Sequence, residues 1–358
     1  MADTGDTLTR DDLRAAVAAG TVTEAQAASL LATAQARAGF RQAEDEPFEL
    51  FKGFAEIFVA VGMSILIAGM VGIAMLMDGS GLILVAYGAL AWWAATYYTL
   101  KRRMMLPSIT LVSAYAGAAV WASTWALAAI WEDGLRDSTG LALVLLGTAV
   151  LLVLWYRRFR LPFTMFLIGL CGFGIAITLT ANLDTAELAA NGLSRVFDLR
   201  SGSALPIGTL LFGFAALAGG LWFDMKDPYR LGRNAASAFW LHILAAPALV
   251  NTVALTFYNM GPGPGFVLLA ISLVLISALA LIIDRRSFLT AGIGYLIFLI
   301  SYTLADPDSP SSWALVLFVV GLGLTSLGTF WTDLRLRLMR ALPDFPGKNR
   351  LPPYQELT

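Results

Sequence analysis

Residues 101–131 read KRRMMLPSITLVSAYAGAAVWASTWALAAIW. Three cations open the stretch, and Pro107 follows at a position where the first turn of a helix tolerates a missing N–H. No charged residue interrupts 107–131. A helix rises about 1.5 Å per residue, so this run crosses a hydrocarbon core of ~30 Å. A cationic turn at one end and Trp131 at the other are the anchors expected at two headgroup levels.

Working outward from that segment, the same pattern recurs at 54–77, 81–100, 139–156, 162–181, 204–223, 236–258, 266–283, 288–304 and 313–331. A β-barrel would show ~10-residue alternating segments, which are absent. The expected fold is all-α: a polytopic helical membrane protein of ten spans, arranged as successive helical hairpins. Composition agrees. Of 358 residues, 58% are hydrophobic and 14% charged, with a mean hydropathy of +0.72. That balance excludes a soluble enzyme on a single anchor. The first long apolar run starts at Phe54, too late for a cleaved signal peptide, so the first span is expected to direct targeting.

Orientation follows from the cations, which are retained on the cytoplasmic side. With both termini inside, 21 of the 24 Lys and Arg residues face the cytoplasm, and only Arg136, Arg195 and Arg200 lie outside. Trp155, Tyr156, Trp222, Trp331, Tyr97 and Tyr98 then mark inner span ends, and Trp131, Tyr258, Tyr302 and Trp313 outer ones. The turn RRMMLP at 102–107 is echoed by RRFRLP at 157–162 and in part by RRSFLT at 285–290. This reads either as repeated hairpin units or as convergence on positive-inside turns.

Three regions follow: an acidic helical hairpin at 1–49, the membrane domain at 50–340 and a disordered cytoplasmic tail at 341–358. In the first, Thr9 with Asp12 and Thr23 with Gln26 are capping boxes, Leu8 with Leu13 is a hydrophobic staple, and Gly20 separates two helices. Four Arg against nine Asp or Glu repel phosphate, so no nucleic acid is expected there. So short a pair buries little by itself, which suggests packing on the membrane domain, another subunit or a cytoplasmic protein.

Inside the spans, ionisable residues are almost absent. Glu56 is the exception, and Lys52 one turn away is its expected ion-pair partner. His242, the single histidine, lies with Pro247 and Asn251 in the 236–258 span. It is a candidate intramembrane polar or ligand-facing residue, as is Asn251, although nine residues of helix place the two on opposite faces. Trp121 and Trp125 share a face and are candidates for lining a lipophilic site, against the plainer reading of lipid contact or packing. Asp184 and Glu187 are expected to cap a short segment in the outer loop 182–203. No zinc, Walker or protease motif is present, so neither cofactor, metal nor catalytic set is expected. Ala60, Ser64, Ala68 and Gly72 recur every four residues in the first span. Such a face suits close packing within one chain or a homodimer.

The capped acidic segment, the junction FELFKGFAEIFVAVG (48–62), the turn KRRMMLPSI (101–109) and the run AFWLHILAAPALV (238–250) together resemble an uncharacterised group of bacterial inner-membrane proteins, a domain of unknown function with a short N-terminal helical region before a multi-span module. The resemblance implies location in the bacterial inner membrane and no activity. Two functions remain open: permease-like transport of a neutral or lipophilic small molecule, and a non-transporting scaffold or sensor whose hairpin binds a cytoplasmic partner.

Overall fold

A computed structural model describes residues 9–37, 54–76, 81–180, 194–228, 230, 233–304, 310–352 and 354. Two short helices come first, α1 (Arg10–Ala18) and α2 (Glu24–Arg37). Thr9 accepts from the Asp12 amide while the Asp12 side chain accepts from Thr9, Thr23 and Gln26 are bonded in the same reciprocal way, and Gly20 takes a left-handed φ of 72° between the helices. Leu8, Lys52, Asp184 and Glu187 lie outside the described residues.

The apolar chain forms α3 (Phe54–Leu76), α4 (Gly81–Ala95, continued by a π-helical turn Thr96–Lys101), α5 (Met105–Ile130), α6 (Ser138–Phe159), α7 (Phe163–Thr180), a short α8 (Ser194–Phe197), α9 (Leu205–Asp224), α10 (Arg233–Tyr258), α11 (Pro264–Ile283), α12 (Ser287–Leu304) and α13 (Pro310–Thr329). The chain is an all-α protein built on long apolar helices of the multi-pass membrane type. Within the described residues, seven of them, α3, α5, α6, α7, α9, α10 and α11, are individually long and apolar enough to cross a membrane. At Phe330 the chain bends by 69° into α14 (Trp331–Ala341). The expected span 313–331 therefore ends at an elbow, because Asp333, Arg335, Arg337 and Arg340 make its continuation too polar for hydrocarbon.

Two helices of 26 residues organise the packing. Helix α5 contacts α3, α4, α6 and α7, and helix α10 contacts α7, α9, α11 and α12. Each has its own core. Around α5 lie Ala91, Ala95, Val112, Leu152, Trp155, Phe159 and Cys171, with Trp92 tilted against Tyr115, Trp155 and Phe159 at centroid distances of 5.8, 5.5 and 5.0 Å. Around α10 lie Phe212, Ala245, Ala246, Leu249, Val250, Ile283 and Phe288. Small residues dominate the α9–α10 contact, and a Cβ at Gly213 would come within 2.8 Å of the Leu249 side chain. Helix α7 joins the two cores, with Cys171 in the first and Phe173 packed on the second.

Four left-handed positions at the arginine-rich end are occupied by residues other than glycine. Arg103, Arg160, Arg230 and Asp284 all have φ between 49° and 56°, a left-handed conformation that ordinarily costs a non-glycine residue about 1 kcal/mol. Arg103 stands four residues before Pro107 and Arg160 two before Pro162, so the RRMMLP echo is not matched by backbone geometry. The repeated letters belong to cationic turns with different closures. The ion pair expected between Glu56 and Lys52 lies outside the described residues, but Glu56 has a second role. Its carboxylate accepts from the Met105 and Leu106 amides at 3.1 and 3.4 Å, supplying acceptors to the otherwise unsatisfied N-terminus of α5.

The tail expected to be disordered makes contact with the bundle in its described part. Leu351 and Pro352 are buried, and the Pro352 carbonyl accepts from Arg335 at 2.5 Å. A buried cation needing an acceptor holds this proline-rich segment down.

Candidate functional site

The buried polar centre lies where α9 ends, α10 begins and α11 turns into α12. Asp224 is the last residue of α9, His242 is in the third turn of α10 and Arg285 follows the end of α11. None of the three is more than 1% exposed. His242 Nε2 meets Asp224 Oδ2 at 2.9 Å. Arg285 donates from Nε to the same oxygen at 3.3 Å and from Nη2 to Asp224 Oδ1 and, at 3.0 Å, to the Ala235 carbonyl. A forked guanidinium on a carboxylate is the geometry that best offsets burial of the two charges.

The local sequence explains how the imidazole fits. Gly220, one helical turn before Asp224, faces the ring, and a Cβ there would lie 2.7 Å from His242 Cε1. Glycine at this position lets α9 approach closely enough for Asp224 to reach Nε2. Phe288 closes another side with its centroid 6.0 Å from the imidazole. Among the described residues, Nδ1 has no hydrogen-bond partner. With Nε2 against a carboxylate, the neutral tautomer carries its proton on Nε2, and Nδ1 presents a bare lone pair to the interior.

A second ion-pair set adjoins the first. Asp284 receives Arg230 Nη1 at 3.1 Å and the Trp331 indole N–H at 2.7 Å; Arg335 Nε lies 3.8 Å from its Oδ1 and donates at 3.0 Å to the Leu281 carbonyl. Asp227 accepts from the Ala235 amide at 3.2 Å. Three carboxylates and three guanidiniums balance when His242 is neutral. Burial by itself would raise the Asp284 carboxyl, but Arg230, Arg335 and the Trp331 hydrogen bond outweigh it and hold the group below the ordinary carboxylate range.

The hairpin of α1 and α2 stands over this region. The Glu24 carboxyl is pushed up by partial burial and by the charge of Asp227, and Asp11 and Arg14 lie within electrostatic range of Arg233 at the start of α10.

Of the residues singled out in the sequence, His242 alone enters the centre. Asn251 is half-buried on another face of α10 and takes part in none of the described hydrogen bonds. Trp121 and Trp125 are 38% and 52% exposed on α5, so they face outward from the bundle. Ala60 is buried, whereas Ser64, Ala68 and Gly72 are exposed on α3. Sequence reading missed Asp224, Asp227, Arg230, Asp284, Arg285 and Arg335 because each sits at or beyond a span boundary, where charge is ordinary. The available signal was acidity within cationic turns: Asp224 and Asp227 flank Lys226, and Asp284 precedes Arg285 and Arg286. Among the described residues, no three His, Cys, Asp or Glu side chains gather as a metal set. No protein-family model, curated protein or solved structure matches the chain.

Proposed function

We propose that this chain is a non-enzymatic, ten-span permease of a bacterial inner membrane, with both termini cytoplasmic, which moves a neutral or lipophilic small molecule. The observation that carries the reading is the Asp224–His242–Arg285 centre. A passive anchor has no use for fully buried charge, and an ionisable group within a span is a functional feature by default. The centre ties α9, α10 and α11 together at the end proposed to face the cytoplasm. It serves there as a latch within the helix group around α10. Release of Asp224 from His242 or Arg285 frees α9 to move against α10, where Gly213 and Gly220 bring the two helices close. The bare Nδ1 offers the passing molecule one hydrogen-bond acceptor in an otherwise apolar surrounding.

The test is a deletion strain profiled against small apolar and neutral toxic compounds, complemented by wild type, His242→Gln or Asp224→Asn at equal membrane abundance. Wild type should restore the resistance profile and the variants should not. Full complementation by both variants would remove the centre from function.

A second reading, a sensor, draws support from the position of Glu24 beside Asp227, since the hairpin stands over the latch and a cytoplasmic protein that takes hold of it would act on the same turn. Deleting residues 1–37 should then change the phenotype without lowering abundance. A homodimer through the open Ser64, Ala68 and Gly72 face of α3 is compatible with either reading, and Gly72→Leu followed by mass measurement in detergent tests it.

A further inference from the structure

The 69° elbow between α13 and α14 encloses an open groove of about 570 Å³. One wall is α13, where Gly323, Ser326 and Leu327 share a face; the other is the start of α14, with Phe330, Asp333 and Arg337. On α14 the opposite face is spent on the bundle, because Trp331, Arg335 and Met339 are buried. Gly323 has open space where a side chain would stand, and Phe330 remains 54% exposed. The groove therefore runs from an apolar leg into a polar one, the order met on passing from acyl chains to headgroups.

Its charges are unusual. Asp333 and Arg337 are one helical turn apart, a spacing at which opposite charges commonly pair. Among the described residues, however, neither has an ion-pair partner, in contrast to Arg335 between them, which pairs with Asp284. A carboxylate and a guanidinium held apart at the polar end of an apolar groove complement a ligand with both a cation and an anion. The geometry points to a zwitterionic phospholipid with a primary ammonium, of the phosphatidylethanolamine type, as the occupant of this groove. Arg337 takes the phosphate, Asp333 accepts hydrogen bonds from the ammonium, and an acyl chain lies along Gly323 and Leu327. Phosphatidylglycerol carries the phosphate charge but no cation to meet Asp333, and a quaternary ammonium offers that carboxylate no hydrogen bond. The volume falls within the range of small-molecule sites and holds one headgroup with the first part of a chain.

The test uses the full chain, stripped of lipid in detergent and offered mixed micelles with equal amounts of phosphatidylethanolamine, phosphatidylcholine and phosphatidylglycerol, the retained lipid being counted by native mass spectrometry. Wild type should retain the ethanolamine lipid in preference to both others. Arg337→Gln should lower that retention roughly tenfold, the scale of one charge-assisted hydrogen bond. Asp333→Asn should abolish the preference over phosphatidylcholine. Gly323→Leu, which fills the groove at a position with room for a side chain, should remove retention while leaving the thermal midpoint unchanged. Equal retention of the ethanolamine and choline lipids by wild type, stronger retention of phosphatidylglycerol, or retention indifferent to Gly323→Leu would each overturn the assignment. So would a shift from dimer to monomer in Gly323→Leu, which would give the groove to a second copy of the chain.

Discussion

Asp224 holds the strongest single-residue consequence. It balances Arg285 and orients His242 with one carboxylate, so Asp224→Asn leaves a fully buried guanidinium without its counter-charge. Breaking such a pair from one side costs about 3–5 kcal/mol, and the thermal midpoint of the purified protein should fall accordingly. His242→Phe removes only the neutral partner and leaves the ion pair, so its cost should be smaller, about 1–3 kcal/mol for an unmet hydrogen bond. If the two variants lowered the midpoint equally, Arg285 would not be the group that makes Asp224 necessary. Asp284 gives a pH dependence. Its folded pKa lies below the unfolded one, so its contribution to stability is complete above the ordinary carboxylate range and is lost as pH falls through the folded value. Acid-induced loss of stability should therefore be shallower in Asp284→Asn than in wild type. At this scale the sequence pointed to His242 and to nothing that holds it.

Helix ends carry the next level. Glu56 supplies two acceptors to the first turn of α5 from 49 residues away, and Glu56→Ala should cost about 1 kcal/mol, the usual value of a lost N-terminal cap. Glu56→Gln, which keeps an acceptor oxygen, should recover part of it in the same melting experiment. The opposite sign is expected at Arg160. Its φ of 49° is one that glycine adopts freely, and it has no ion-pair partner among the described residues, so Arg160→Gly should raise stability by up to about 1 kcal/mol. Capping boxes at Thr9 and Thr23 were legible because donor and acceptor lie three residues apart. The Glu56 cap was not, because its partners are brought together only by the α3–α5 contact.

For the molecule as a whole, the arrangement is two helix groups sharing α7, with the ion-pair centre confined to the second. A proteolytic or genetic truncation after Ala341 removes the acceptor that Pro352 offers to Arg335 and should lower the midpoint, whereas a truly loose tail would be dispensable. The proposed threading is open to single-cysteine labelling, since Cys171 is the one native cysteine and is buried. In a Cys171→Ala background, cysteines at Arg158 and Asp344 should react only after the membrane is permeabilised, and one at Ser203 should react from outside. Labelling of all three from one side would reject ten spans.

Hydrophobic run lengths and the placement of cations were enough to establish an all-α chain of membrane-spanning type and to locate its helices, because burial in lipid acts on each segment separately and leaves its mark locally. The capped hairpin at the N-terminus was legible for the same reason. Tertiary structure alone decided that α13 bends at Phe330, that Trp121 and Trp125 face outward, that the tail is packed as far as Pro352, and that Asp224, Asp227, Asp284, Arg230, Arg285 and Arg335 form a balanced network around His242. A charge at a span boundary costs little whether it points to water or inward. Which of the two it does depends on the partners that distant segments bring, and that information is carried by the packing of α9, α10, α11 and α14 rather than by any one stretch of sequence.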